Sequence, residues 1–321
     1  MTKRGPTARA DSAAEETESS SPAPTASESR SEEPSRDASA RRPTLRSQRV
    51  REINGKRVRV RPPVGGVVPR VEKGEAHREF VEAVEPNAVM CNVLAARRIV
   101  KDGETAESWF PSGTTVVTTT TIPDDDLARL SWEREAEIVE SFAPDYHIPT
   151  DYPVYGDDKP YQRIDGCRRC ARGTRWMREE LPATIGIIPL VKGTTPDERA
   201  ICERSAAKLY PDVLAVYASQ YFSAGGGGGR SRLVEDVEAI ARETDDMPIL
   251  IVGSASPWVL KELPECVVAG AGLRAWREPV APRSSAPAEM RESYGELASE
   301  VEEAILGADA DVESAATEGE G

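Results

Sequence analysis

From Val64 onward, short apolar runs alternate with longer stretches in which apolar residues return every three or four positions. That alternation of period is the signature of strands interleaved with amphipathic helices. "GGVVPRV" reads as a strand and "EAHREFVEAVE" as the helix after it. "NAVMCNVLAARRIV" reads as a buried strand, and "GTTVVTTTTI", β-branched throughout, as a strand by propensity. "SWEREAEIVESFA" predicts a helix with Ser131 as N-cap and Glu133 in its first turn. "PDYHIPTDYP" predicts a strand and "GCRRCARGTRWMREEL" a helix. "TIGIIPLVKG" is the next strand, and Thr195 caps a helix through "TPDERAICERSAAKLY", with Pro196 at its first position. "DVLAVYASQYF", "MPILIVGSA" and "CVVAGAGLRAW" are further strands, separated by the helices "RSRLVEDVEAIARE" and "PWVLKELP".

The strand runs lack clean alternation, so both of their faces should be covered, as in a parallel sheet. About eight strand–helix units in one domain favour an α/β fold of the closed (β/α)8 TIM-barrel type over an open doubly wound sheet. The barrel is expected over residues 51–280. Residues 1–50 are mostly Ser, Glu, Ala, Pro and Arg. They cannot bury enough apolar surface to offset their ordering entropy, and a disordered arm is expected. Residues 281–321 carry eleven acids against Arg283 and Arg291, an acidic tail in which one helix is expected from Ala288 to Leu306.

No apolar run reaches the ~20 residues that span a bilayer, and the N-terminus lacks a secretory pattern. The five cysteines are odd in number and sit mostly in apolar runs. A cytoplasmic, reduced protein is the simple expectation. The net charge of −14 opposes a polyanionic partner, but Arg41–Lys73 runs the other way, with eleven basic residues and two acids.

Four segments together resemble the tRNA-guanine transglycosylase superfamily, in its tRNA-modifying or DNA-modifying branch. They are "EREAEIVESFAPDYHIPTDYPVYG", "TIGIIPLVKG", "DVLAVYASQYFSAGGGGG" and "MPILIVGSASPWVLKELPECVVAGAGLRAW". The resemblance is one of order and spacing over roughly residues 85–280. It implies a TIM barrel that binds a purine or deazapurine base of tRNA or DNA and, if active, a pentosyltransferase exchanging that base. Asp151 falls where the family's base-reading acid belongs, and a carboxylate there accepts two N–H bonds from a guanine-like edge. The family's nucleophile should end the last strand, where Ala271-Gly272-Leu273 stands, and its proton-handling Asp should open "GTTVV", where Phe110-Pro111-Ser112-Gly113 stands. Neither place holds a carboxylate, which puts base exchange in doubt. If exchange occurs, Asp157 or Asp158 could serve instead. The family's zinc cluster is missing as well, since no Cys or His follows Cys266.

Lys192, Tyr217, Gln220 and Arg274 fall at predicted carboxyl ends of strands, where barrel sites assemble. With Asp151 and Tyr155, the first three make the expected base-binding set. Tyr146, His147, Tyr152 and Tyr155 would give an aromatic rim. Gly225, Gly226, Gly227, Gly228 and Gly229, followed by Arg230, could hold phosphate through free N–H groups and a helix dipole; equally, they could be slack. Cys167 and Cys170 have metal-pair spacing, but zinc needs about four ligands and no second pair is present, so packing is expected and no metal or cofactor. Two other readings stand: a non-catalytic binding or scaffolding barrel, and a barrel enzyme for a phosphorylated small molecule centred on Lys192. High acid content with only eight lysines among 41 basic residues fits a halophilic protein, although high genomic G+C would also favour Arg over Lys. Its unfolding midpoint should then rise with KCl concentration, and a midpoint indifferent to KCl would remove that reading.

Overall fold

The computed structural model describes residues 49–53, 56–60, 62–222 and 229–307. The expected disordered arm up to residue 48, the glycines 225–228 and the tail beyond 307 lie outside the described residues. The first element among the described residues is an antiparallel hairpin, β1 (Arg49–Ile53) and β2 (Lys56–Val60), which pairs Arg49 with Val60 and Ile53 with Lys56.

Nine parallel strands follow: β3 (Gly66–Val71), β4 (Ala88–Asn92), β5 (Thr115–Thr119), β6 (Tyr146–Ile148), β7 (Gly186–Ile187), β8 (Leu190–Val191), β9 (Leu214–Tyr217), β10 (Ile249–Val252) and β11 (Val267–Gly272). They form one sheet in the order β7-β6-β5-β4-β3-β11-β10-β9-β8, curled in the manner of a half-barrel. Its edge strands, β7 and β8, are separated in the chain only by Ile188 and Pro189. Across that gap the Ile188 N–H donates to the His147 carbonyl at 2.9 Å, and the Pro189 carbonyl accepts from the Ala215 N–H at 2.9 Å.

The helices in chain order are α1 (Glu75–Val84), α2 (Val93–Lys101), α3 (Ala106–Trp109), α4 (Asp124–Leu127), α5 (Trp132–Phe142), α6 (Pro160–Glu180), α7 (Pro196–Ala207), α8 (Gly229–Glu243), α9 (Pro257–Leu260), α10 (Arg274–Val280) and α11 (Pro287–Leu306). Thr195 and Ser131 cap α7 and α5 as expected, each accepting from a backbone N–H in the first turn.

"NAVMCNVLAARRIV" is not one strand. Asn92 ends β4 and at once caps α2, its side chain accepting from the Ala95 N–H at 2.8 Å. The strand in "PDYHIPTDYP" is confined to Tyr146–Ile148, and its remainder is the loop that bears Asp151. α11 begins one residue before the expected start and buries Met290, Leu297 and Val301. The Arg291 guanidinium donates to the Ala83 carbonyl at 3.0 Å, fastening this helix to α1.

Trp276 is the largest fully buried side chain. It stacks on Phe80 at a centroid distance of 4.0 Å, and its indole N–H donates to the Arg70 carbonyl at 2.9 Å. β3, α1 and α10 meet there. Trp276→Ala should lower unfolding stability by about 3–5 kcal/mol in urea titration, whereas Trp258→Ala, at a side chain 55% exposed, should cost under ~1 kcal/mol.

Candidate functional site

Asp151 lies three residues past β6, and Lys192 directly follows β8. The fold brings them together: Lys192 Nζ is 2.8 Å from Asp151 Oδ1, and both side chains are buried. The preceding turn aims the carboxylate. Thr150 has φ 48°, a left-handed conformation that is costly for a β-branched residue and persists only where its surroundings dictate it.

Three contacts hold Thr150. Its N–H donates to Glu135 Oε1 at 2.8 Å, and its hydroxyl donates to the Cys170 carbonyl at 3.3 Å. The third is Gly173 on α6, where a Cβ would fall 2.6 Å from the threonine side chain. The Asp151 N–H then donates to Thr120 Oγ1 at 3.1 Å, while that hydroxyl donates to the Ile148 carbonyl.

Glu135 is itself pinned. His147, fully buried beneath α5, places Nε2 2.9 Å from the Glu135 carboxylate and Nδ1 2.9 Å from the Thr118 hydroxyl. Both ring nitrogens are thereby engaged, and the Thr118 hydroxyl also lies 3.3 Å from the Tyr146 carbonyl. His147 therefore supports the site from behind and is no part of the expected aromatic rim. Tyr152 is also engaged: its hydroxyl accepts from the Trp132 indole N–H at 2.6 Å, and its ring lies under Arg169. Tyr146 packs against Gly186.

Burial acts to lower the Lys192 pKa, but the Asp151 carboxylate outweighs it and the net shift is upward. Lys192 is thus an ammonium at neutral pH, the wrong state for an imine-forming nucleophile. The Tyr217 ring lies 5.6 Å from Nζ. Tyr155 shares this rim, feeling the charges of both Lys192 and Asp151. Burial, then the Asp124 carboxylate that accepts its hydroxyl at 2.9 Å, pushes its pKa up to about 12.

Other expected site residues lie elsewhere or are occupied. Gln220 sits on the 3-10 turn Ser219–Phe222, its side chain engaged with Tyr221. Gly229 opens α8, and Gly225–Gly228 lie outside the described residues. Arg230 pairs with Glu262 at 2.8 Å and stacks over Trp258 at 3.6 Å, and Arg274 pairs with Glu278. Asp158 caps its own turn, accepting from the Tyr155 N–H. Both flanks of the glycine segment are tied to Asp236, through the Tyr221 hydroxyl at 2.9 Å on one side and Arg232 on the other.

The stretch Phe110–Gly113, where the resemblance would put a proton-handling acid, precedes β5 and lies at its amino end. The carboxyl end runs through Thr120–Pro123 to Asp124, and "IPDDD" after a β-branched run is the signal for that acid. Cys167 and Cys170 point their thiols at the Lys192 and Leu190 carbonyls, and among the described residues no cluster of three or more ligating side chains could hold a metal. No described helix is long and apolar enough to cross a membrane. Comparison with protein-family models and with curated proteins finds no match for this chain.

A lysine with a raised pKa contributes stability that is fully present below its ordinary value of 10.5 and lost as pH rises through the raised one. Lys192→Met should leave Asp151 buried and unpaired and cost about 3–5 kcal/mol at pH 7. Adding Asp151→Asn should restore most of that, and the double variant should lose the pair's share of the alkaline decline. Urea titrations across pH check both.

Proposed function

We propose that the curled sheet closes as an eight-stranded (β/α)8 barrel, Gly186–Val191 acting as one strand broken at Pro189. We further propose that the mouth at the carboxyl ends of its strands binds a guanine-type purine or deazapurine base of tRNA or DNA. The observation that supports this is the buried Asp151–Lys192 pair. A guanine edge offers two N–H donors beside a carbonyl; a carboxylate takes the donors and an ammonium the carbonyl. Adenine presents an amino group where guanine has that carbonyl and is rejected by the lysine. Tyr217 and Tyr155 flank the pair as stacking surfaces, and the basic run Arg41–Lys73 supplies salt-dependent affinity for the strand.

Base exchange would need a carboxylate at the sugar carbon. Asp124, bonded to the rim residue Tyr155, is the acid to test, and Asp158 is occupied by its own turn. The second reading, a binding barrel without catalysis, is favoured by Ala271-Gly272-Leu273, where the last strand ends with no acid. A phosphorylated small molecule fits less well, because Asp151 already neutralises Lys192.

Calorimetry should find guanine bound in preference to adenine, with Asp151→Asn and Lys192→Gln each weakening it about 10- to 100-fold, the equivalent of roughly 1–3 kcal/mol. Equal binding of the two bases, or none, rejects the reading. Incorporation of labelled guanine into tRNA or DNA separates exchange from binding alone.

A further inference from the structure

We propose that the exposed face of α6 is a docking surface for the phosphate backbone of a nucleic acid. This helix is 21 residues long and buries Cys167, Cys170, Thr174 and Met177 on one side. On the opposite side Arg168, Arg172 and Arg175 stand at i, i+4 and i+7, all exposed, with exposed Arg169 alongside. At 1.5 Å per residue the row is about 10 Å long. Among the described residues, Arg168, Arg172 and Arg175 have no ion pair or hydrogen bond. Some exposed arginines elsewhere are paired, as Arg134 is with Glu137 at 2.6 Å and Arg274 with Glu278 at 3.1 Å; others, such as Arg97 and Arg98 on α2, are also unpaired but do not line up along a helix face.

Stability does not account for this row. Like charges three and four residues apart on a helix repel, at a few tenths of a kcal/mol for each pair. Nor does composition, since acids outnumber basic residues 55 to 41 in the chain. Asp165 and Glu179 bound the row at either end without pairing to it. A row of unpaired guanidiniums matches a polymer that repeats negative charge every few ångströms, and guanidinium binds phosphate in a two-pronged geometry.

The row also has a direction. Arg169 lies 4.4 Å over the Tyr152 ring, and Tyr152 is the chain neighbour of Asp151. α6 begins at Pro160, after the loop that carries both. A strand whose base enters beside Asp151 and Lys192 would continue down the arginine face. This continuity rests on the base-binding reading; the docking of phosphate does not.

The test is fluorescence anisotropy of the full chain with a labelled, unmodified tRNA transcript and with a DNA duplex, each titrated with KCl. The triple variant Arg168→Gln/Arg172→Gln/Arg175→Gln should bind at least ~10-fold more weakly. Its slope of log affinity against log salt should be shallower by about 2 to 3. Arg97→Gln/Arg98→Gln, exposed on α2, should leave both unchanged, and circular dichroism should confirm an intact fold in every variant. Asp151→Asn should leave the salt slope unchanged, so loss of base recognition is distinguishable from loss of phosphate docking. Wild-type affinity in the triple variant overturns the proposal, and so does an equal loss in the α2 control. Cross-linking of α6 to an acidic segment such as residues 308–321, with no RNA or DNA bound by the chain, also overturns it.

Discussion

The described site depends on one unfavourable backbone conformation and the groups that enforce it. Left-handed Thr150 turns the chain sharply after β6, and without that turn Asp151 would not meet Lys192. No single contact holds the turn. A carboxylate from α5, a carbonyl from α6 and the missing side chain of Gly173 act together, so two outer helices and the sheet all bear on one φ angle. Glu135 and His147 are expensive to bury, and their use here explains the expense: each satisfies the other, and the carboxylate has a lone pair left for Thr150.

The same economy runs through the other side of the site. Gly193, immediately after Lys192, takes φ 136°, and a Cβ there would fall 2.6 Å from the Arg199 N–H. Arg199 in turn pairs with Asp236, which also receives Tyr221 and Arg232. Lys192 is therefore positioned by close backbone approach and Asp151 by hydrogen bonds. The two halves of the pair rest on different physical supports.

Much of this was legible in the sequence, for reasons specific to particular residues. The strand runs and caps at Ser131 and Thr195 are local signals, and local signals survive into the fold. Lys192 is legible because it ends an apolar strand run, and a parallel sheet puts all such ends on one side; Asp151, three residues past its strand, is legible only through the resemblance of the segment that carries it. Asn92 shows where the reading failed: an apolar strand followed without a loop by an apolar helix face carries no change in hydrophobicity, only a one-residue cap. His147 is not a rim residue because it lies within β6, where its ring meets Glu135 of α5, and a histidine in an apolar run gives no sign of which buried partner it faces. The turn at Thr150 was not readable at all, since threonine disfavours that conformation and the groups imposing it are distant in sequence.

The gap between β7 and β8 has a further consequence. Pro189 has no N–H to give, so along this stretch the backbone ladder is thinner than between any longer pair of strands. Thermal fraying of the sheet should begin at that seam. Lys192 is three residues beyond Pro189, so a momentary parting there would swing the ammonium away from its carboxylate, and the buried pair would lose its charge balance before the fold lost its core.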